Sequence, residues 1–225
     1  VQGETHALPP LAVNYTDFAA WQRVAFVGEQ FQSQLEYWRR QLAGAPAALA
    51  LPTDFPRPDV QRYAGAQVEI IIEREIVEKL EALSRQEQAS LFMTLLAAWQ
   101  LLLSRFSGQD DVCVGVPVAG RNIPEVEDLI GLFINTLVLR TDLSGNPTFT
   151  ELLQRVRRTA LDAYAHQNLP FGQLIEALQP DRNLSRHPLF QVLFVLNQAP
   201  VSALTLPGLT TTPLPVDTAT TKFDL

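Results

Sequence analysis

The chain has a single cysteine, three histidines and little charge, and each shortage excludes a class of protein. One cysteine, Cys113, rules out a disulfide framework and a cysteine-based metal site. It lies in the apolar run Val112-Cys113-Val114-Gly115-Val116, where it reads as a small buried hydrophobe. His6, His166 and His187 are far apart, so no paired histidines stand at zinc-ligand spacing. Charged residues make up 18% of the chain and leave a net charge of -7. That argues against nucleic acid as a partner, because phosphate contacts need clustered Lys and Arg. Neither a Gly-x-Ser-x-Gly nucleophile elbow nor a Gly-rich phosphate loop ending Gly-Lys-Ser/Thr occurs. Long apolar runs are missing too. The most apolar stretch, Leu91 to Phe106, is broken by Thr94, Gln100, Ser104 and Arg105, short of the roughly 18 to 20 residues that a membrane span needs. No signal peptide opens the sequence and it does not begin with Met, so we read it as a piece of a larger cytoplasmic polypeptide.

What is present is enough apolar residue, 47% over 225 positions, to bury a sizeable core in one large domain or two small ones. Residues 1–13 are Pro-containing and weakly patterned, which suits a linker or lead-in segment. Phe31, Leu35, Trp38 and Leu42 recur at helical spacing and predict a helix from about Gly28 to Leu42, stopped by Gly44. The prolines of Leu51 to Pro58 predict an extended crossing segment. Gln67 to Ile72 reads as a strand, with helices following at 75–88 and 91–106. The second is apolar nearly all the way round and is expected to be buried against a sheet.

Strands are then predicted at 112–118, buried on both faces, and at 132–140. Thr148-x-x-Glu151 is a capping box that opens a helix to about Tyr164, and a short helix covers 171–178. Phe190 to Leu196 is a further apolar strand, 198–219 a long Pro/Thr-rich loop, and Thr221 to Leu225 the start of a strand cut short. Strands alternating with helices give an α/β or α+β layer architecture. The acidic clusters Asp110-Asp111 and Glu125, Glu127, Asp128 read as solvated turn and helix-start residues, and we expect no metal site.

Three unusual blocks stand out. Ile130-Gly131-Leu132-Phe133-Ile134-Asn135-Thr136-Leu137-Val138-Leu139-Arg140 sets an Asn-Thr pair into an apolar strand. His166-Gln167-Asn168-Leu169-Pro170-Phe171 and Arg182-Asn183-Leu184-Ser185-Arg186-His187-Pro188-Leu189 follow it. Tyr15-Thr16-Asp17-Phe18-Ala19-Ala20-Trp21 precedes it, as do Leu51-Pro52-Thr53-Asp54 with Arg57-Pro58, and Ser107 to Asp111 through Pro117-Val118-Ala119-Gly120-Arg121. In this order, over residues 15 to 225, the blocks resemble the signature motifs of condensation domains from nonribosomal peptide synthetases.

The resemblance implies a chloramphenicol acetyltransferase-like lobe, a mixed central sheet covered by helices. It implies that 14–225 is the C-terminal lobe of such a domain, lacking its last helices. The family's catalytic His-His-x-x-x-Asp-Gly motif is absent from these residues, so no catalytic residue is expected in the chain and the chain alone is expected to be inactive. The intact domain would join a donor acyl or peptidyl thioester to an acceptor aminoacyl amine. No cofactor would be bound directly, since phosphopantetheine arms of donor and acceptor peptidyl carrier proteins would deliver both substrates. The other implied partners are the N-terminal lobe of the same domain and an adjacent adenylation domain, with neither nucleic acid nor membrane.

By resemblance, Arg121 would pair with the Asp of the absent motif and support the active site. Asn135, a polar interruption in an apolar strand, either braces backbone or faces a wet channel. Asn197 and Gln198 are candidates to line the substrate tunnel. Asp17, Trp21, His166, Pro170, Phe171, Arg182 and Arg186 belong to family motifs and are expected to be mainly structural, His166 as a helix C-cap. Asn168, Gly172 and Asn183 depart from the family's usual acidic residues, and His187 from its usual Asn. Two rival readings stay open: an epimerisation domain of the same fold, and a catalytically silent carrier-protein docking module. Asn135-Thr136 with Arg140 favours the condensing type.

Overall fold

The computed structural model describes residues 10–25, 28–180, 183–197, 208–212, 214, 216 and 218–225. Six helices and two strands make up the regular structure of these described residues: α1 Tyr15–Ala25, α2 Glu29–Leu42, α3 Arg74–Gln86, α4 Leu91–Ser107, β1 Asp111–Val118, β2 Asn135–Asp142, α5 Phe149–Ala165 and α6 Phe171–Leu178. The expected helices at 28–42, 75–88, 91–106, 148–164 and 171–178 all form, with ends shifted by one or two residues.

Local chemistry fixes the helix ends. The Ser90 hydroxyl accepts from the Met93 N–H at the start of α4, and Gly108 closes that helix in the left-handed region. Thr148 and Glu151 form the reciprocal capping box of α5.

β1 and β2 pair antiparallel, from Asp111 opposite Asp142 to Val118 opposite Asn135. Val112, Val114, Val116, Leu137, Val138 and Leu139 bury both faces of this ribbon. Helices α4 and α5 cover it with Leu96, Ala97, Leu103, Leu152, Leu153 and Val156, and Trp38 of α2 completes the same core. Burying such side chains stabilises by about 1.5–3 kcal/mol each relative to exposure, which makes this core the main source of stability.

Gln100 is a fully buried polar residue beside it. Its Nε2 donates to the Leu139 carbonyl at 3.1 Å and the Val112 carbonyl at 3.5 Å, so one α4 side chain ties both strands to the helix. Arg140 of β2 reaches across to the Asp111 carboxylate at 2.7 Å and donates to the Gln41 and Ala43 carbonyls at 3.0 and 2.7 Å, closing the end of α2.

Four expectations need correction. Residues 67–72 run extended, but no strand lies beside them among the described residues, and Val68, Ile70 and Ile71 are more than 80% exposed. β-branched residues favour extended backbone, but a ladder also needs a neighbour. The strand expected at 190–196 contributes one parallel bridge, Leu193 to Gly115. It approaches β1 because Gly115 has no side chain where the Phe190 ring lies. The strand expected at 132–140 begins only at Asn135, because β1 ends opposite it. Finally, α4 is not buried all round, since Leu102 and Phe106 face outward.

The final residues lie beside 191–193, with Asp224 N–H donating to Gln191 and Leu193 N–H to Leu225, at 2.8 and 3.0 Å. No strand is assigned to them. Most of the 198–219 loop and most of the lead-in segment 1–13 fall outside the described residues.

Candidate functional site

A cleft of about 540 Å³ opens at the end of the ribbon where β1 finishes and β2 starts. Five segments wall it: α1, α2, the turn after β1, the approach to β2 and the turn between α5 and α6.

Helix α1 is held there by its own cap. Asn14 Oδ1 accepts from the N–H groups of Thr16 and Asp17 at 2.9 and 3.1 Å, and Asp17 Oδ2 accepts from Asn14 N–H at 2.9 Å. The Tyr15 hydroxyl then donates to the Leu132 carbonyl at 3.0 Å. Phe133 sits under α1, with ring centroids 4.7 Å from Phe18 and 5.3 Å from Tyr15. Val126 and Leu129 join it in a small second core. Gly120 makes the crossing possible: it has a left-handed φ of 67°, and a Cβ there would fall on the Phe133 carbonyl oxygen.

Asn135 is the first residue of β2 and braces backbone. Its Nδ2 donates to the Gln167 and Leu169 carbonyls, both at 2.8 Å, and its Oδ1 accepts from the Phe171 N–H at 2.9 Å. Helix α6, whose N-cap Pro170 offers no side-chain cap, is therefore capped from across the fold. Next to this brace, Asn122 donates to Asn168 Oδ1 at 3.2 Å and links the turn after β1 to the α5–α6 turn.

Arg121 is occupied inside the lobe. Its Nη1 donates to the carbonyls of Val126 and, at 3.0 Å, Glu127, and its guanidinium carbon lies 4.2 Å from the centre of the Phe133 ring. Among the described residues it forms no ion pair; here it secures the short 3-10 turn Pro124–Val126.

Of the residues singled out by sequence, Trp21, Asn135 and Pro170 line the cleft, while Asp17 and Arg121 hold its walls. The others are elsewhere. His166 is the C-cap of α5, with Nδ1 donating to the Asp162 carbonyl at 2.7 Å and its ring stacked on Tyr37 at 3.9 Å. Burial, followed by the nearby Asp162 carboxylate, pushes the Tyr37 phenol up to about 12. Phe171 packs against His187 and Phe190. Arg186 borders a different cavity, beside Leu42, Leu178 and His187. Asn197 is exposed beyond the bridge at Leu193, and Gln198 and Arg182 lie outside the described residues.

Sequence reasoning missed Tyr15, Asn122, Gln34 and Gln167 as cleft residues, and it missed α1 as a helix. The Asn14-x-x-Asp17 spacing is a capping signal that could have revealed α1. The distant partner of Asn122 leaves no mark in local pattern, and neither does the place of Gln34 on the cleft wall.

The Condensation domain family matches residues 1–225. The chain is 52% identical over 223 residues to malpinin synthetase of Mortierella alpina and 52% identical over 226 residues to a linear gramicidin synthase from Brevibacillus parabrevis. It covers 99% and 100% of itself in these matches but only 3% and 4% of those relatives. Among solved structures, the X-domain from teicoplanin biosynthesis is similar at a TM-score of 0.77 and 29% identity, over 83% of this chain and 42% of that one. A four-domain nonribosomal peptide synthetase bound to AMP and glycine is similar at 0.77 and 26%, over 84% of this chain and 14% of that one. With the motifs, the chloramphenicol acetyltransferase-like lobe and the family match in agreement, the chain belongs to the condensation domain family of nonribosomal peptide synthetases.

Proposed function

We propose that the protein carrying this chain forms an amide bond between a donor acyl or peptidyl thioester and an acceptor aminoacyl amine, each presented on a carrier protein. The family match across residues 1–225 is the observation that carries this reading. The cleft agrees with it in kind: amide side chains and aromatic rings line it, and among the described residues neither His nor a carboxylate does. Such a wall positions reactants; it does not move protons.

Positioning matters for this reaction. Holding two reactants in line can supply roughly 7–11 kcal/mol of the barrier. The amine attacks the thioester carbonyl, the carbon–sulfur bond breaks, and the thiol leaves with the donor carrier's arm. A His-His motif, absent from these 225 residues, would assist from the facing lobe, so the chain alone is not expected to turn over. Phosphopantetheine would tether each reactant and belongs to the carriers, not to this chain. Among the described residues no single helix is long and apolar enough to cross a membrane, and a cytoplasmic setting fits the reading.

The test is product analysis with the complete synthetase module. Loaded donor and acceptor carriers should yield a new amide that disappears when the upstream histidine is replaced. Inversion at the acceptor α-carbon without amide formation would instead assign the epimerising chemistry.

A further inference from the structure

Among the described residues, every side chain lining the Asn135 cleft is uncharged. Arg121 is not among the lining residues; it lies against the Phe133 ring with its Nη1 on the Val126 and Glu127 carbonyls. Asn122 and Asn168 satisfy one another, and Asn135 is used by the α5–α6 turn. Gln34 differs. It lines the cleft from α2, and its Oε1 is shut off from solvent with no hydrogen-bond partner among the described residues. A shielded acceptor of this kind is costly until an N–H reaches it.

We infer that this cleft selects acyl or aminoacyl groups with uncharged side chains, and that Gln34 accepts an N–H of the tethered group. The inference rests on the proposed function and adds a substrate class to it. A side-chain carboxylate or ammonium entering the cleft would lose water and find no opposite charge among the lining side chains described. A neutral side chain loses little and gains contact with Phe18, Trp21 and Phe133, while an N–H of the tethered group supplies the donor that Gln34 lacks. Discrimination is therefore strong against charge and weak among neutral side chains, because one methylene more or less changes rates only modestly.

The experiment uses the complete synthetase module with carriers loaded in turn with leucyl, glutaminyl, glutamyl and lysyl groups, first on the donor and then on the acceptor side. On at least one side, glutamyl and lysyl transfer should be at least tenfold slower than leucyl, with glutaminyl close to leucyl. Gln34→Arg should raise the glutamyl-to-leucyl ratio at least tenfold on that side. Rates for glutamyl and leucyl within threefold on both sides would overturn the inference. So would an unchanged ratio in a folded Gln34→Arg protein; if that variant fails to fold, the wild-type panel decides. No amide from any load would overturn the proposed function alone. The selection is then read by NMR titration with N-acetyl-leucinamide and N-acetyl-glutamate amide, and equal binding of the two would overturn it.

Discussion

Asn135 Oδ1 accepts the Phe171 N–H at 2.9 Å, so the first residue of β2 caps helix α6 from 36 positions away in sequence. The same amide donates to the carbonyls of Gln167 and Leu169. One side chain thus fixes the turn that forms a wall of the cleft. Asn135→Ala should destabilise the protein by about 2 kcal/mol, since three hydrogen bonds go and part-buried partners stay unpaired. For a domain of this size that lowers Tm by roughly 4–8 °C in a circular dichroism melt. Asn135→Asp should be at least as damaging, because it keeps the acceptor for Phe171 but turns a carboxylate oxygen toward two carbonyls. An aspartate variant that melts like wild type would remove the bracing role.

Gly120 is required by geometry. Its φ of 67° and the Phe133 carbonyl oxygen in the place of a Cβ make Gly120→Ala strained on two counts. The expected cost is about 2–4 kcal/mol, with Phe133 displaced from α1. A chemical-denaturation midpoint within error of wild type would contradict it. Gly145, also at positive φ, meets open space, and Gly145→Ala should cost less.

Cys113 should be inert in the native state. It is buried in β1, and burial, aided by the Asp111 carboxylate and opposed by Arg140, pushes its thiol up to about 12. The thiolate is the reactive form, so at pH 8 the thiol should react with a disulfide reagent only as fast as the protein opens. Labelling should accelerate by orders of magnitude in denaturant. Rapid native labelling at one equivalent would show that β1 is more open than described.

His187 gives a pH dependence of known sign. Burial among Phe171, Phe190 and Phe223 holds its imidazole below the ordinary histidine value, while backbone hydrogen bonds at Pro188 and Phe190 act the other way. The unfolded chain therefore binds a proton more readily than the folded one. This contribution to stability is complete above about pH 6.5, the unfolded value, and is lost as pH falls toward the lower folded value. Melting temperature should fall between pH 7 and pH 5, and His187→Asn should flatten that fall. An unchanged slope would mean that another group carries the pH dependence.

Elements with a strong local pattern were the legible ones. Thr148 and Glu151 announced α5 because a capping box needs only four residues. The run from Val112 to Val118 announced β1 because a strand buried on both faces is apolar throughout. What failed depended on partners. Ile70 and Ile71 look like strand residues, but nothing in their own sequence says whether a neighbour lies alongside. Leu102 and Phe106 sit on an apolar helix whose outer face stays exposed. In the cleft, the motif residues Trp21, Asn135 and Pro170 were visible by resemblance. Gln34 was not, because its meaning depends on an absent hydrogen-bond partner, and absence leaves no sequence signal.

The claim that this cleft is a wall of the substrate path can be tested by position. A carrier protein bearing a neutral acyl chain with a diazirine near its thioester would be mixed with the complete synthetase module, irradiated and mapped by peptide mass spectrometry. Labels are expected on residues 132–135 and 167–170, reduced by competing unmodified acyl carrier. Labels confined to the groove bounded by Trp99, Phe106 and Leu225, or absent from this lobe altogether, would contradict it.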